Sequence, residues 1–117
     1  MRRYASASLC ALATMLPARS WAVDAVTCGQ IALIETGNTN TRFGFQLVGA
    51  PDLCTAGIGP LRWGIVALSN GATPEGLKSL LAIVTATMLS QQYVRVYANN
   101  NPGDQCTVAT IDVVSSC

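Results

Sequence analysis

The chain has 117 residues, 50% of them hydrophobic, five cysteines, no histidine and a formal charge of +1. That length suits one compact domain. The lack of histidine removes the commonest general base and metal ligand.

In chain order, the first feature is an export signal. Arg2 and Arg3 precede an apolar or small-residue run from Tyr4 to Pro17, and Ser20 and Ala22 stand third and first before a cut, as a signal peptidase requires. Residues 1–22 are therefore expected to be a secretory signal cleaved after Ala22, and residues 23–117 one domain without a linker. The run is shorter than the ~20 apolar residues of a membrane-spanning helix and contains Pro17 and Arg19. Cleavage removes Arg2, Arg3 and Arg19, leaving four basic residues against six acidic ones and a net charge of −2. Arg42, Arg62, Lys78 and Arg95 are then the remaining cations, well scattered, so nucleic acid is not an expected partner.

Cys10 lies inside the signal. Cys28, Cys54, Cys106 and Cys117 remain, an even number in an oxidising compartment, and read as a disulfide framework of a secreted or periplasmic protein. Zinc is the rival reading, but no two cysteines have chelating spacing and histidine is absent. No metal or other cofactor is expected. Number alone leaves three pairings open, and the strand order below favours Cys54 with Cys106 and Cys28 with Cys117.

Val26 to Glu35 is apolar and rich in β-branched residues, and Thr36 to Asn40 is a turn signal, so a strand ends there. Thr41 to Val48 alternates, with Phe43, Phe45 and Leu47 on one face and Arg42, Gly44 and Gln46 on the other. The two strands make a hairpin. Gly49 to Pro60 holds prolines, glycines and Cys54, and reads as a loop. Leu61 to Ser69 alternates again as a third strand. Leu61, Trp63, Ile65 and Ala67 share one face, on which Trp63 is expected to pack in the core.

A helix follows from Pro74 to about Gln91. Thr73 can cap it, Pro74 occupies the first helical position, and Glu75 puts negative charge near the positive end. Leu77, Leu80, Leu81, Val84 and Met88 form its apolar stripe. Ala82, Ile83, Ala86 and Leu89 fall roughly opposite, and the helix has no charge beyond Glu75 and Lys78. Two readings stand for that second face: a water-facing surface solvated by Ser and Thr, or an interface with a second chain.

Tyr93 to Tyr97 alternates, placing Val94 and Val96 on one face and Tyr93, Arg95 and Tyr97 on the other. Asn99 to Gln105 is a polar turn, and Cys106 to Val114 is the last strand. Chemistry-bearing patterns are sparse. The carboxylates Asp24, Glu35, Asp52, Glu75, Asp104 and Asp112 form no recognisable pair, and Gly37, Gly44, Gly57 and Gly59 do not make a phosphate loop. Asp112 reads as an outward residue of a half-exposed strand. Asp112 or Glu35 as an isolated acid is the enzymatic alternative, and an enzyme is not the expectation. The binding candidates are Tyr93, Arg95 and Tyr97, two rings flanking a guanidinium, against the plainer reading that tyrosines suit strands. The asparagines at 38, 40, 99, 100 and 101 are turn formers.

The predicted fold is mainly β with one helix, in the order β-β-β-α-β-β: an OB-fold-like small barrel or curled sheet with two disulfides. Among exported proteins this order, with cysteines and a weakly charged helix from Pro74 to Gln91, resembles the B subunits of bacterial pentameric toxins of the pertussis and subtilase cytotoxin type. The resemblance covers most of residues 23–117 and carries no receptor residue onto a numbered position. It implies helices of five copies around a pore and barrels that bind cell-surface glycans. The expectation is thus an exported, non-enzymatic binding module that takes a glycan and assembles with itself through Ala82, Ile83, Ala86 and Leu89. The alternative is a structural or inhibitory protein meeting one protein partner.

Overall fold

The computed structural model describes residues 25–37, 40–56, 59–101 and 105–117. The expected signal at residues 1–22, with Cys10, lies outside them. So do Asp24, Asn38, Gly57, Pro102, Gly103 and Asp104.

The strands are β1 (Ala25–Thr36), β2 (Arg42–Leu47), β3 (Cys54–Ala56), β4 (Gly59–Leu61), β5 (Gly64–Ala67), β6 (Tyr93–Asn101) and β7 (Gln105–Val114). A 3-10 turn at Leu68–Asn70 and the helix α1 (Pro74–Ser90) separate β5 from β6. Five strands close into a ring in the order β1-β2-β5-β7-β6, with β3 and β4 as a separate hairpin. This is the OB-like small barrel expected from the element order.

Closure depends on β1 serving two neighbours. Its first half, Ala25 to Gln30, pairs with β6, and its second half, Ile31 to Thr36, pairs with β2 across a register shift between Ile31 and Leu33. Such an irregularity bends a strand and lets a sheet curl. A second shift, between Tyr97 and Ala98, does the same where β6 meets β7. The ring is completed by a short parallel contact, Gly64 with Cys106 and Ile65 with Thr107.

Period-two alternation fills the barrel. Phe43, Phe45 and Leu47 point in as expected, and Val94, Val96 and Ala98 meet them from β6. Val66, Val108 and Ile111 complete that interior. Burying one such side chain fully contributes about 1.5–3 kcal/mol. The helix closes one end by burying Leu77 and Val84, with Leu80, Leu81 and Met88 packed beside them. Strand β3 packs against β6 and β7.

The helix starts and stops for local reasons. Thr73 Oγ1 accepts from the Gly76 amide at 3.0 Å, with Pro74 at the first turn. Gln91 adopts the left-handed conformation (φ 56°), and Gln92 N–H donates to Thr87 O at 3.0 Å. Gln30 Nε2 then donates to Gln91 O at 2.6 Å and ties the helix end to β1. Thr85, Thr87 and Ser90 donate their hydroxyls to the carbonyls of Leu81, Ile83 and Ala86, so much of the helix's hydroxyl capacity is used internally.

Both disulfides form as the strand order favours. Cys28 is joined to Cys117, and Cys54 to Cys106.

Three expectations are corrected. The stretch from Gly49 to Pro60 is not wholly loop: Cys54 and Leu61 begin and end a hairpin ladder, in which a proline can sit because a two-stranded sheet is all edge. The strand from Tyr93 runs on to Asn101, because Ala98 to Asn101 pair with Val108 to Gln105. The third strand is shorter than Leu61 to Ser69, and the residues of both its faces are buried. Arg62 and Trp63 lie outside the strands and break the alternation, so Gly64 and Val66 lie on the Phe43 and Phe45 side, inside the barrel, while Ile65, itself buried, lies with half-buried Trp63 on the other side of the sheet.

Candidate functional site

The outer face of β6 carries the expected trio. Side chains directly opposite in a ladder share a face, which gives three rows: Gln30, Tyr93 and Val114; Cys28, Arg95 and Asp112; Val26, Tyr97 and Thr110. Val94 and Val96 are buried behind them. Hydrogen bonding to the Tyr97 hydroxyl raises the Arg95 pKa above its ordinary value, and the Asp112 carboxylate adds to the effect. Arg95 is thus a fixed cation. Asp112 is exposed on this face, as expected for an outward strand residue. The Cys28–Cys117 bridge lies in the Arg95 row and braces the trio from one side.

Sequence reasoning missed a more concave site. A groove of about 540 Å³ opens on the outer face of β2 and β5. Its floor is Trp63 and Ile65. The register sets Gly44 opposite Ile65 and Glu35 opposite Gly44, so three strand positions converge on one side of the sheet. Gly44 makes the floor possible: a β-carbon there would stand 3.1 Å from Ile65 Cδ1 and 3.3 Å from Trp63 Cε3. A mid-strand glycine marks a place where something approaches the backbone closely.

Polar groups ring the floor. Glu35, Arg42 and Gln46 come from β1 and β2, Arg62 from the link between β4 and β5, and Gln105 from the start of β7. Asn70 Nδ2 donates to Gln105 Oε1 at 2.7 Å and orients that amide. Arg62 Nε lies 3.4 Å from Asp52 Oδ1, with 61% and 52% of the two side chains exposed. A pair so exposed contributes little to stability and leaves Arg62 able to turn toward a ligand. The disulfide at Cys106 stiffens one wall. Aromatic floor, amide and guanidinium rim, and no group of three His, Cys, Asp or Glu side chains among the described residues: the arrangement can stack and hydrogen-bond.

The helix candidates are elsewhere. Ala82, Ala86 and Leu89 are exposed, Leu89 at 76%, whereas Ile83 is half-buried against the core. The structure does not bring these four, the Tyr93 trio and the groove into one site. The sequence did hold a signal for the groove. Gly44 sits on the outward face of a well-alternating strand, which leaves space for a neighbour's ring.

No family model, no curated protein and no solved structure matches this chain. Among the described residues, no helix is long and apolar enough to cross a membrane.

Proposed function

We propose that this chain is an exported, non-enzymatic binding module that takes a glycan in the groove floored by Trp63. One observation carries the reading: an aromatic ring seated over Gly44 and ringed by Arg42, Gln46, Arg62 and Gln105. Sugar rings offer an apolar C–H face to an aromatic ring and hydroxyls to amides and guanidinium groups, and this groove supplies both. Its position agrees with the fold, since OB barrels bind oligosaccharides and oligonucleotides on the face of their second and third strands, here β2 and β5. Two disulfides support a secreted or periplasmic setting.

The toxin-B-subunit-like version of this reading adds self-assembly through the outer face of α1. Glycan-array binding, followed by titration of Trp63 fluorescence with the best hit, tests the ligand. Binding that falls at least tenfold in Trp63→Ala supports the groove. An array without hits, or a hit indifferent to Trp63, overturns it. Mass in solution tests assembly separately, and a monomer removes the toxin-like version.

The alternative is a protein partner met through α1, and exposed Leu89 favours it. In that case binding would respond to Leu89→Ser and ignore Trp63→Ala.

A further inference from the structure

Three of the four cations beyond residue 22 are gathered along one side of the molecule. Arg42 lines the Trp63 groove, a middle cavity of about 260 Å³ and a third of about 360 Å³ against the first turns of α1. Glu35 is shared by the groove and the middle cavity, and Thr36 and Gly37 by the middle cavity and the third. The three spaces are therefore neighbours in series, with Arg42 lining each of them. Lys78 stands at the far end beside the apolar surface of Pro74, Leu77 and Leu81, and Arg62 at the near end.

Charge is biased along this path. It has Arg62, Arg42 and Lys78 against Glu35, although the sequence after residue 22 holds six acidic and four basic residues. Arg62 has Asp52 for a partner, and among the described residues no other ion pair within 4.0 Å forms, so Arg42, which shares two cavities with Glu35, and Lys78 are not engaged in one. Concentrating free cations in a cleft raises the local concentration of an anionic ligand.

We infer that the groove continues past Arg42 into a second subsite at Lys78, and that its ligand is a linear acidic oligosaccharide, with one ring on Trp63 and a carboxylate or sulfate reaching Lys78. The inference rests on the glycan reading and extends it. A single nucleic-acid strand is also linear and anionic, but it binds through successive aromatic platforms in a strongly basic groove. Here the aromatic residues along the three spaces are Trp63 and Phe43, and Phe43 is buried in the barrel core, which leaves Trp63 as the ring open to a base.

The probes are defined di- and tetrasaccharides: sulfated glycosaminoglycan fragments, uronic-acid oligomers carrying carboxylates alone, and neutral oligomers of matching length. Calorimetry with the intact disulfide-bonded protein should show an acidic tetrasaccharide binding at least tenfold tighter than the acidic disaccharide and the neutral tetrasaccharide. The sulfated and uronic series then tell which anion is used. Binding should weaken as salt rises from 50 to 500 mM, roughly as screening of exposed charges requires. Lys78→Glu, an exposed change, should cut tetrasaccharide affinity at least tenfold, to about the disaccharide level, and Lys78→Arg should restore it. Equal affinity for acidic and neutral chains, or a Lys78→Glu variant with wild-type affinity, would overturn the second subsite while leaving the Trp63 reading intact. Failure of every saccharide would overturn both. A thymidine oligonucleotide that binds as tightly as the acidic tetrasaccharide would overturn the sugar assignment.

Discussion

Trp63 rests over Gly44, with its Cε3 atom 3.3 Å from the place where a Gly44 β-carbon would stand. The contact links β2 to the residue just before β5, its hydrogen-bonded neighbour, and it places the indole on the outside of a barrel whose inside is filled by Phe43, Phe45 and Val66. An aromatic ring on an outer face, held by a glycine, is available to a ligand in a way that a core tryptophan is not.

Replacing Gly44 by valine removes that seat. The added methyls would meet Ile65 and Trp63, which must swing outward, while the buried side chains on the opposite face of β2 stay in place. The expected result is at least a tenfold loss of glycan affinity, with a red shift and broadening of the Trp63 emission. A Gly44→Val protein that binds as well as wild type would show that the ring's position is not set by this contact.

Gly64 tests the other side of the sheet. A β-carbon there would lie 2.8 Å from Val108 Cγ2 and 3.0 Å from Phe45 Cζ, inside contact distance of packed core groups. Gly64→Ala should therefore destabilise the fold by about 1–3 kcal/mol, the usual cost of overpacking. Chemical denaturation measures it. A change within about 0.5 kcal/mol, as for an ordinary surface substitution, would mean that the barrel has slack at this position.

These two glycines also show what was legible in the sequence. Alternation at Phe43, Phe45 and Leu47 and the Thr73–Pro74–Glu75 start of the helix are local signals, and both elements formed where expected. The disulfide pairing was legible at one remove, because the order of strands limits which cysteines can approach. The groove was hidden by a counting error with a physical origin. Carrying the period-two count from Leu61 through Trp63 assumes one continuous strand, but Leu61 ends β4 and Arg62 and Trp63 lie outside any strand before β5 begins. One break in parity sends Trp63 and Ile65 outward together. Nor could the shared lining of three cavities be seen, since it depends on the helix docking beside the β1–β2 turn.

The two disulfides should differ in their contribution to stability. Each closes a long loop and stabilises by about 2–4 kcal/mol through restriction of the unfolded chain. Cys54 and Cys106 are also buried in the core cluster, whereas Cys28 is half-buried and Cys117 exposed. Replacing Cys54 and Cys106 together by alanine should thus cost more than replacing Cys28 and Cys117, since it adds a cavity to the lost crosslink. Denaturation of the two double variants under the same conditions compares them. A larger loss from the Cys28–Cys117 pair would mean that bracing of the chain end outweighs core packing.

The outer face of α1 yields the remaining prediction. From Ser79 to Ser90 this face is uncharged, with Ala82, Ala86 and Leu89 exposed, and the hydroxyls of Thr85 and Ser90 already donate to carbonyls within the helix. A surface so poor in charge gains by burial against a second chain. If copies of the chain assemble there, Ala86→Arg places a charge in the contact and should convert the assembly to monomer, as read by light scattering. Because Ala86 is exposed within one chain, the monomer's own melting temperature should hardly move. An assembly that persists with arginine at this position would place the contact on another surface. A wild-type protein already monomeric at working concentration would instead leave this face to a different partner, and Leu89→Ser would then be the change to test against it.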